Sequence, residues 1–203
     1  SMRENLAHAL RLLLVTDDIA LAGRDPVTTC LAAEAGGVTA VQLRLKRAGD
    51  QELASLAREL LRRLSVPLFL NDRIDVALAV GAAGVHLGPD DLSPALARRI
   101  APAGFVIGAS VGSAAEVARG AAADYWGIGP LHDTATKADA GVALGWEGAT
   151  ALRRLGGERP CVIIGAVTPD DVPLATAAGF AGVAVVTGIL GARDVGEAAS
   201  RYR

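Results

Sequence analysis

Apolar residues in this chain come in short bursts that end on a polar residue or a glycine. The bursts recur roughly every 20 to 25 residues, with helical periodicity between them. Eight can be read: LLLVTD at 12–17, AVQLR at 40–44, LFLND at 68–72, GVHLG at 84–88, VIGAS at 106–110, YWGIGP at 125–130, CVIIG at 161–165 and GVAVVT at 182–187. Near-continuous apolar runs suit parallel strands buried on both faces. The intervening stretches predict helices over Pro26–Gly36, Asp50–Leu64, Arg73–Val80 and Trp146–Leu155, with others opening at Ser93-Pro94, near Ser113 and at Thr168-Pro169, and a last one over Asp194–Tyr202. Asp25-Pro26 is an N-cap followed by proline at the first helical position. Leucines at 53, 56, 60, 61 and 64 fall on one helical face. Eight strand–helix units predict a single (β/α)8 TIM barrel over 1–203, class α/β, with 1–11 as an N-terminal extension. Chemistry in such a barrel sits at the C-terminal ends of the strands, so the residues closing the eight runs are the site candidates.

Composition narrows the partners. The formal charge of −2 gives no reason to expect nucleic acid or an anionic membrane. No apolar stretch approaches the roughly 18 to 20 residues of a membrane span, and LLLV at 12–15 is too short for a signal-peptide core. Cys30 and Cys161 fall in a helix and at a strand start. They read as reduced core thiols, and the expected setting is cytoplasmic. Whether copies associate as a homo-oligomer stays open.

Four groups of residues carry candidate chemistry. Alternate residues of a strand share a face. Gln42, Arg44 and Lys46 therefore point one way, while Leu43 and Leu45 want the helix layer; a guanidinium, an ammonium and an amide together suit a phosphate or pyrophosphate. The plainer reading is a basic surface strand end. Run 3 ends Asn71-Asp72, and run 4 is followed by Asp90-Asp91. Neighbouring strands lie about 5 Å apart, so Asp72 and one of Asp90 or Asp91 can share a cation, with Mg2+ favoured by oxygen ligands and substrate phosphate. Alternatively Asp72 caps a helix and Asp90 or Asp91 holds a turn. The long polar stretch Leu131–Gly145 carries Thr134, Thr136 and Lys137, either a lid over an anionic ligand or a solvated loop. Gly165 and Val186-Thr187-Gly188 follow strands 7 and 8, where such barrels often bind phosphate through backbone N–H groups; the alternative is a structural role. His86 reads as a hydrogen-bonded barrel residue, His132 as exposed or an acid/base, and His8 as solvated.

These residues are similar to those of the thiamine phosphate synthase and thiazole tautomerase (TenI) family. The resemblance runs from about Leu13 to Leu190, through LLVTD at 13–17, VQLRLK at 41–46, LNDRIDVALAVGAAGVHLGPDDL at 70–92, IGAS at 107–110, ADYWGIGPLHDTATKADA at 123–140, VIIGAV at 162–167 and AGVAVVTGI at 181–189. It implies a Mg2+-dependent transferase that joins 4-amino-2-methyl-5-hydroxymethylpyrimidine pyrophosphate to thiazole phosphate and releases pyrophosphate. On this likeness Gln42, Arg44, Lys46 and Asn71 hold the pyrimidine pyrophosphate, and Asp72 and Asp91 hold Mg2+. Ser110 approaches the pyrimidine or pyrophosphate, and Lys137 contacts pyrophosphate. Thr134, Thr136, Gly165, Val186 and Thr187 line the thiazole phosphate site, with Arg44, Lys46, Ser110 and Lys137 as the catalytic set. The reaction implied is dissociative and asks for neutralised charge on the leaving group more than for a strong base.

The chain departs from that pattern at Leu45, Pro89, Gly112, His132-Asp133, Ala135, Ala138, Ala166 and Thr187. Two other readings are a thiazole tautomerase and a non-catalytic barrel that binds thiazole or thiamine phosphate. The tautomerase pattern places a His directly after the position of Gly129, where this chain has Pro130.

Overall fold

The strands close on themselves because their two faces bury against different partners. In the computed structural model, which describes residues 2–134 and 141–203, eight parallel strands form a barrel in the order β1 to β8. They are β1 (Leu12–Val15), β2 (Ala40–Leu43), β3 (Leu68–Asn71), β4 (Gly84–Leu87), β5 (Val106–Val111), β6 (Tyr125–Ile128), β7 (Cys161–Ile163) and β8 (Gly182–Val185). The helices are α1 (Met2–Ala9), α2 (Asp18–Leu21), α3 (Pro26–Gly36), α4 (Asp50–Arg63), α5 (Ile74–Val80), α6 (Pro94–Ile100), α7 (Ala114–Gly120), α8 (Gly145–Leu155), α9 (Asp171–Ala177), α10 (Thr187–Leu190) and α11 (Val195–Ser200). Leu12, Leu14, Val41, Leu43, Leu68 and Leu70 join the layer between sheet and helices. Their alternates Leu13, Val15, Ala40, Phe69, Tyr125 and Val162 form a second cluster inside the barrel.

All eight runs are strands; β5 continues through Ser110 to Val111, and the other seven stop short of the residues that close their runs. Those residues are thereby released into the loops at the C-terminal mouth. The expected helices are present, with small shifts. Asp25 and Ser93 cap α3 and α6 through their side chains. The helix expected at Thr168-Pro169 begins later, at Asp171, whose carboxylate turns back to accept from the Thr168 N–H at 2.8 Å.

Three helices were not foreseen: α1, α2 and α10. The last two are single turns of four residues, too short for periodicity to register. The first eleven residues are more than an extension. Leu6, Ala9 and Leu10 of this segment are buried in the inner cluster with Phe69 and Tyr125, so α1 closes the barrel floor. The floor must be closed, because inward apolar side chains at the N-terminal ends of the strands otherwise meet water.

Candidate active site

The mouth is organised first around Arg44. It leaves β2 pointing inward beside Gln42, while Leu43 and Leu45 are buried toward the helices, as the alternation predicts. Its guanidinium pairs with Asp17 at 2.9 Å, both side chains being largely buried. The backbone beneath is locked as well: Arg44 N–H donates to Thr16 Oγ1 at 2.8 Å, and that hydroxyl donates to Arg44 O at 3.0 Å. Asp17 also caps α2 by accepting from the N–H groups of Ile19 and Ala20. Gln42 accepts from Asn71 Nδ2 at 3.0 Å. Two polar atoms here are buried without a partner among the described residues, Arg44 Nε and Asn71 Oδ1. A buried donor and acceptor left unmade cost stability, so this mouth is built for something that completes them.

Lys46 lies beyond the end of β2, in an exposed turn. Its charge nevertheless reaches Asp72 across the mouth. Asp72 follows β3 with a left-handed backbone, φ 64°, a conformation that Asp tolerates better than most residues. The N-cap of α5 is Arg73, which makes no side-chain cap. Asp72 is therefore not the helix cap that was one alternative. Its carboxyl instead lies close enough to that of Asp91 for the two to interact. Burial, then the Asp91 charge and hydrogen bond, raise the Asp72 pKa, while Lys46 and Arg73 oppose the rise. Asp91 also holds a turn, accepting from Gly88 N–H at 2.7 Å. Asp90 is exposed.

The second half of the mouth is a cavity of about 680 Å3 lined by Ser110, Gly129, Thr134, Gly165, Val186 and Thr187, among others. A smaller hollow of about 60 Å3 beside Asp17, Gln42 and Arg44 shares Ser110 and Val186 with it, so the two adjoin. Gly165 has φ 110°, and a Cβ there would meet Pro130 Cα at 2.5 Å and Leu131 N at 2.6 Å. Glycine is what lets the β7 loop lie against the base of the long loop. That base is pinned at both ends: Leu131 N–H donates to Ile164 O at 2.8 Å, and Gly145 N–H to Leu131 O at 3.0 Å. Thr187 opens α10, whose first turn faces the cavity. Ala166 is left-handed at φ 52°. Thr136, Lys137, Ala135 and Ala138 lie outside the described residues.

Several residues of the site carried no assigned role in the sequence reading. Asp17 closes the first run, so the rule that strand-ending residues make the site already pointed to it. Asp171 is almost wholly buried on α9 and takes His132 Nε2 at 2.9 Å. Desolvation would raise its pKa, but bonds from the Thr168 backbone and from His132 outweigh it, and the net shift is downward. Glu116 accepts from Gly112 N–H at 2.8 Å and lines the cavity. Tyr202 donates to Val167 O at 2.9 Å behind the same wall. No local motif marks these last three.

Comparison with known proteins then decides the family. The family model described as thiamine monophosphate synthase matches residues 12–189. The chain belongs to the thiamine monophosphate synthase family. A thiamine-phosphate synthase of Azorhizobium caulinodans is 48% identical over 195 residues, covering 94% of this chain and 92% of that relative. One from Methanoculleus marisnigri is 43% identical over 197 residues, covering 95% and 93%. Among solved structures, a thiamine phosphate pyrophosphorylase from Pyrococcus furiosus superposes with a TM-score of 0.83 at 34% identity, covering 97% of this chain and 95% of that one. A 3-hexulose-6-phosphate synthase superposes at 0.69 with 17% identity, a likeness of fold alone.

Proposed function

We propose that this chain is a thiamine-phosphate synthase, a transferase that joins an aminopyrimidine pyrophosphate to a thiazole phosphate in thiamine biosynthesis. The family and its named relatives support the assignment. The observation that carries it at the level of chemistry is the mouth itself. Lys46 acts on Asp72, whose carboxyl interacts with that of Asp91, and Arg44, held by Asp17, lines a hollow adjoining a cavity large enough for a second substrate.

In this reading Gln42, Arg44, Lys46 and Asn71 bind the pyrophosphate-bearing pyrimidine. Ionised together, Asp72 and Asp91 repel, and a divalent cation relieves that repulsion. Among the described residues no cluster of three or more His, Cys, Asp or Glu gathers. Two carboxylates suit Mg2+, which takes one or two of them and fills its remaining positions with water and substrate phosphate. When bound, Mg2+ supplies charge neutralisation on the leaving pyrophosphate. Arg44, already oriented by Asp17, offers fixed positive charge to the same group, and such pre-set charge needs no reorganisation as the bond breaks. Lys46 adds to it, and Lys137 belongs to the same proposed set. Gly165, Val186, Thr187, Thr134 and Thr136 hold the thiazole phosphate so that its ring nitrogen faces the departing bond, and Ser110 stands between the two halves. Holding the two reactants in line supplies much of the remaining acceleration.

His132 has its Nε2 engaged by the buried carboxylate of Asp171, which favours the synthase reading over a tautomerase with a free imidazole. A cytoplasmic setting is part of the proposal, supported by two buried, unpaired thiols. No helix among the described residues is long and apolar enough to cross a membrane.

The direct test is to incubate the purified protein with both substrates and Mg2+ and follow thiamine phosphate by mass spectrometry, with and without EDTA. Metal-dependent product is expected. Absence of product alongside clean binding of the thiazole phosphate would turn the assignment to a binding protein or tautomerase.

A further inference from the structure

Ser110 is tied to a buried chain of polar groups that reaches down into the barrel. Its Oγ lies 2.8 Å from His86 Nε2, and His86 Nδ1 lies 2.9 Å from the Tyr125 hydroxyl. Three strands make this chain possible. His86 is on β4, Ser110 on β5 and Tyr125 on β6, and the register pairs His86 with Gly108, Gly108 with Tyr125, and Ser110 with Gly127. Both glycines make room for rings. A Cβ on Gly108 would overlap the Tyr125 ring, and one on Gly127 would press on His86 Cε1 at 3.1 Å.

The direction of the two hydrogen bonds follows from the burial of Tyr125. Its side chain is fully inaccessible, packed between Phe69 and His86 at centroid distances of 6.0 and 5.6 Å. Burial pushes its pKa well up, so it keeps its proton. Among the described residues that hydroxyl has one partner, His86 Nδ1. A buried O–H left without an acceptor is costly, so Tyr125 donates and Nδ1 accepts. The imidazole then carries its proton on Nε2 and donates to Ser110 Oγ. An oxygen that already accepts from His86 turns its own proton away from the ring, and the open side is the cavity that Ser110 lines.

We propose that His86 and Tyr125 are positioning residues that fix the polarity of Ser110, so that its hydroxyl meets the bound substrate as a hydrogen-bond donor. The acceptor it serves is an oxygen or ring nitrogen of the ligand, such as a non-bridging oxygen of the leaving pyrophosphate. The relay moves no proton; it sets which way one points before the substrate arrives. This deepens the synthase reading and rests on it for the identity of the acceptor.

A spectroscopic arm and a kinetic arm test it on the full chain. The protein has three histidines, so nitrogen-15 labelling of histidine gives an assignable long-range nitrogen–proton spectrum. His86 is expected to show a protonated Nε2 and a bare Nδ1. A proton on Nδ1 alone, or on both nitrogens, overturns the proposal. Tyr125→Phe keeps the ring and removes the O–H. It is expected to release His86 into a mixture of tautomers and to lower kcat/KM for the pyrimidine pyrophosphate about tenfold. In a Ser110→Ala background the same substitution should cause no further loss. An equal loss in both backgrounds would mean that Tyr125 acts through packing, and the proposal would fall. Were the unmodified chain to form no thiamine phosphate, the synthase reading would fail, while the nitrogen spectrum would still decide the direction of the relay.

Discussion

At the scale of single residues, the site is a set of charges whose neighbours were chosen to leave them unsatisfied. Arg44 is held by Asp17 through one nitrogen, while its buried Nε has no partner among the described residues. Asp72 and Asp91 interact although both are acids, and the pKa of Asp72 is raised in consequence. Replacing Arg44 with Ala, or Asp72 with Ala, is expected to lower kcat by about 100-fold or more, in line with the loss of one fixed transition-state contact. The melting temperature of Asp72→Ala should stay close to that of the unmodified protein, while Arg44→Ala, which leaves Asp17 buried without its partner, should melt lower; near-normal rates in both variants would remove the pyrophosphate assignment. Ala166 invites the opposite kind of change. Its φ of 52° is a region an L-residue enters at a cost of about 1–2 kcal/mol. Ala166→Gly relieves that strain but loosens the unfolded chain, so a net gain of up to about 1 kcal/mol is expected in denaturant titrations. The exposed edge of the cavity is also opened, and KM for the thiazole phosphate should fall or hold. The positions of Arg44, Gln42 and Asp72 at the mouth were legible because strand alternation and run endings are local signals, whereas spacing left Asp90 and Asp91 equal and only the family resemblance chose Asp91. Asp171 and Glu116 were not legible. Each sits on a helix of seven residues, and its partner, His132 or Gly112, is brought to it by the fold rather than by a motif.

At the scale of elements, the β7–α9 connection and the base of the long loop form one unit. His132 N–H donates to Gly165 O at 3.1 Å, and its ring reaches Asp171, which also takes the Thr168 N–H and hydroxyl. The expected helix start at Thr168 was displaced because this carboxylate folds back over the preceding turn. The sign of its pH dependence follows from the depressed pKa. The stabilisation is fully present above the ordinary Asp value of about 3.9 and is lost as pH falls through the lower folded value. Asp171→Asn should therefore flatten the acid limb of the stability curve, read as unfolding free energy between neutral pH and about pH 3. An unchanged acid limb would show that the bonds to Thr168 and His132 do not favour the ionised form. His132→Ala should reduce turnover only modestly, because the ring braces the loop base and takes no part in the proposed charge neutralisation.

At the scale of the whole molecule, the two ends of the barrel divide the work. The mouth gathers hydrophilic side chains released where each strand stops, and the floor is sealed by α1. The barrel itself was plain in the sequence, since eight apolar runs spaced by helical stretches admit few other arrangements. The seal was not, because Met2–Ala9 is short and half polar, and Leu6, Ala9 and the following Leu10 bury too few positions to show a period. That division makes a prediction about separability. Leu10 is completely buried under the inner cluster that also holds Phe69 and Tyr125. Leu10→Ala leaves a cavity there and should destabilise the fold by about 2–5 kcal/mol. The mouth lies at the opposite end of the strands, so kcat and both KM values, measured well below the lowered melting temperature, should stay near those of the unmodified protein. One path by which the floor reaches the chemistry is Tyr125, whose ring belongs to the floor cluster and whose hydroxyl lies 2.9 Å from His86 Nδ1. A selective fall in kcat in Leu10→Ala, with KM for the thiazole phosphate unchanged, would mean that packing under Tyr125 sets the geometry of Ser110, and that floor and mouth are energetically one structure.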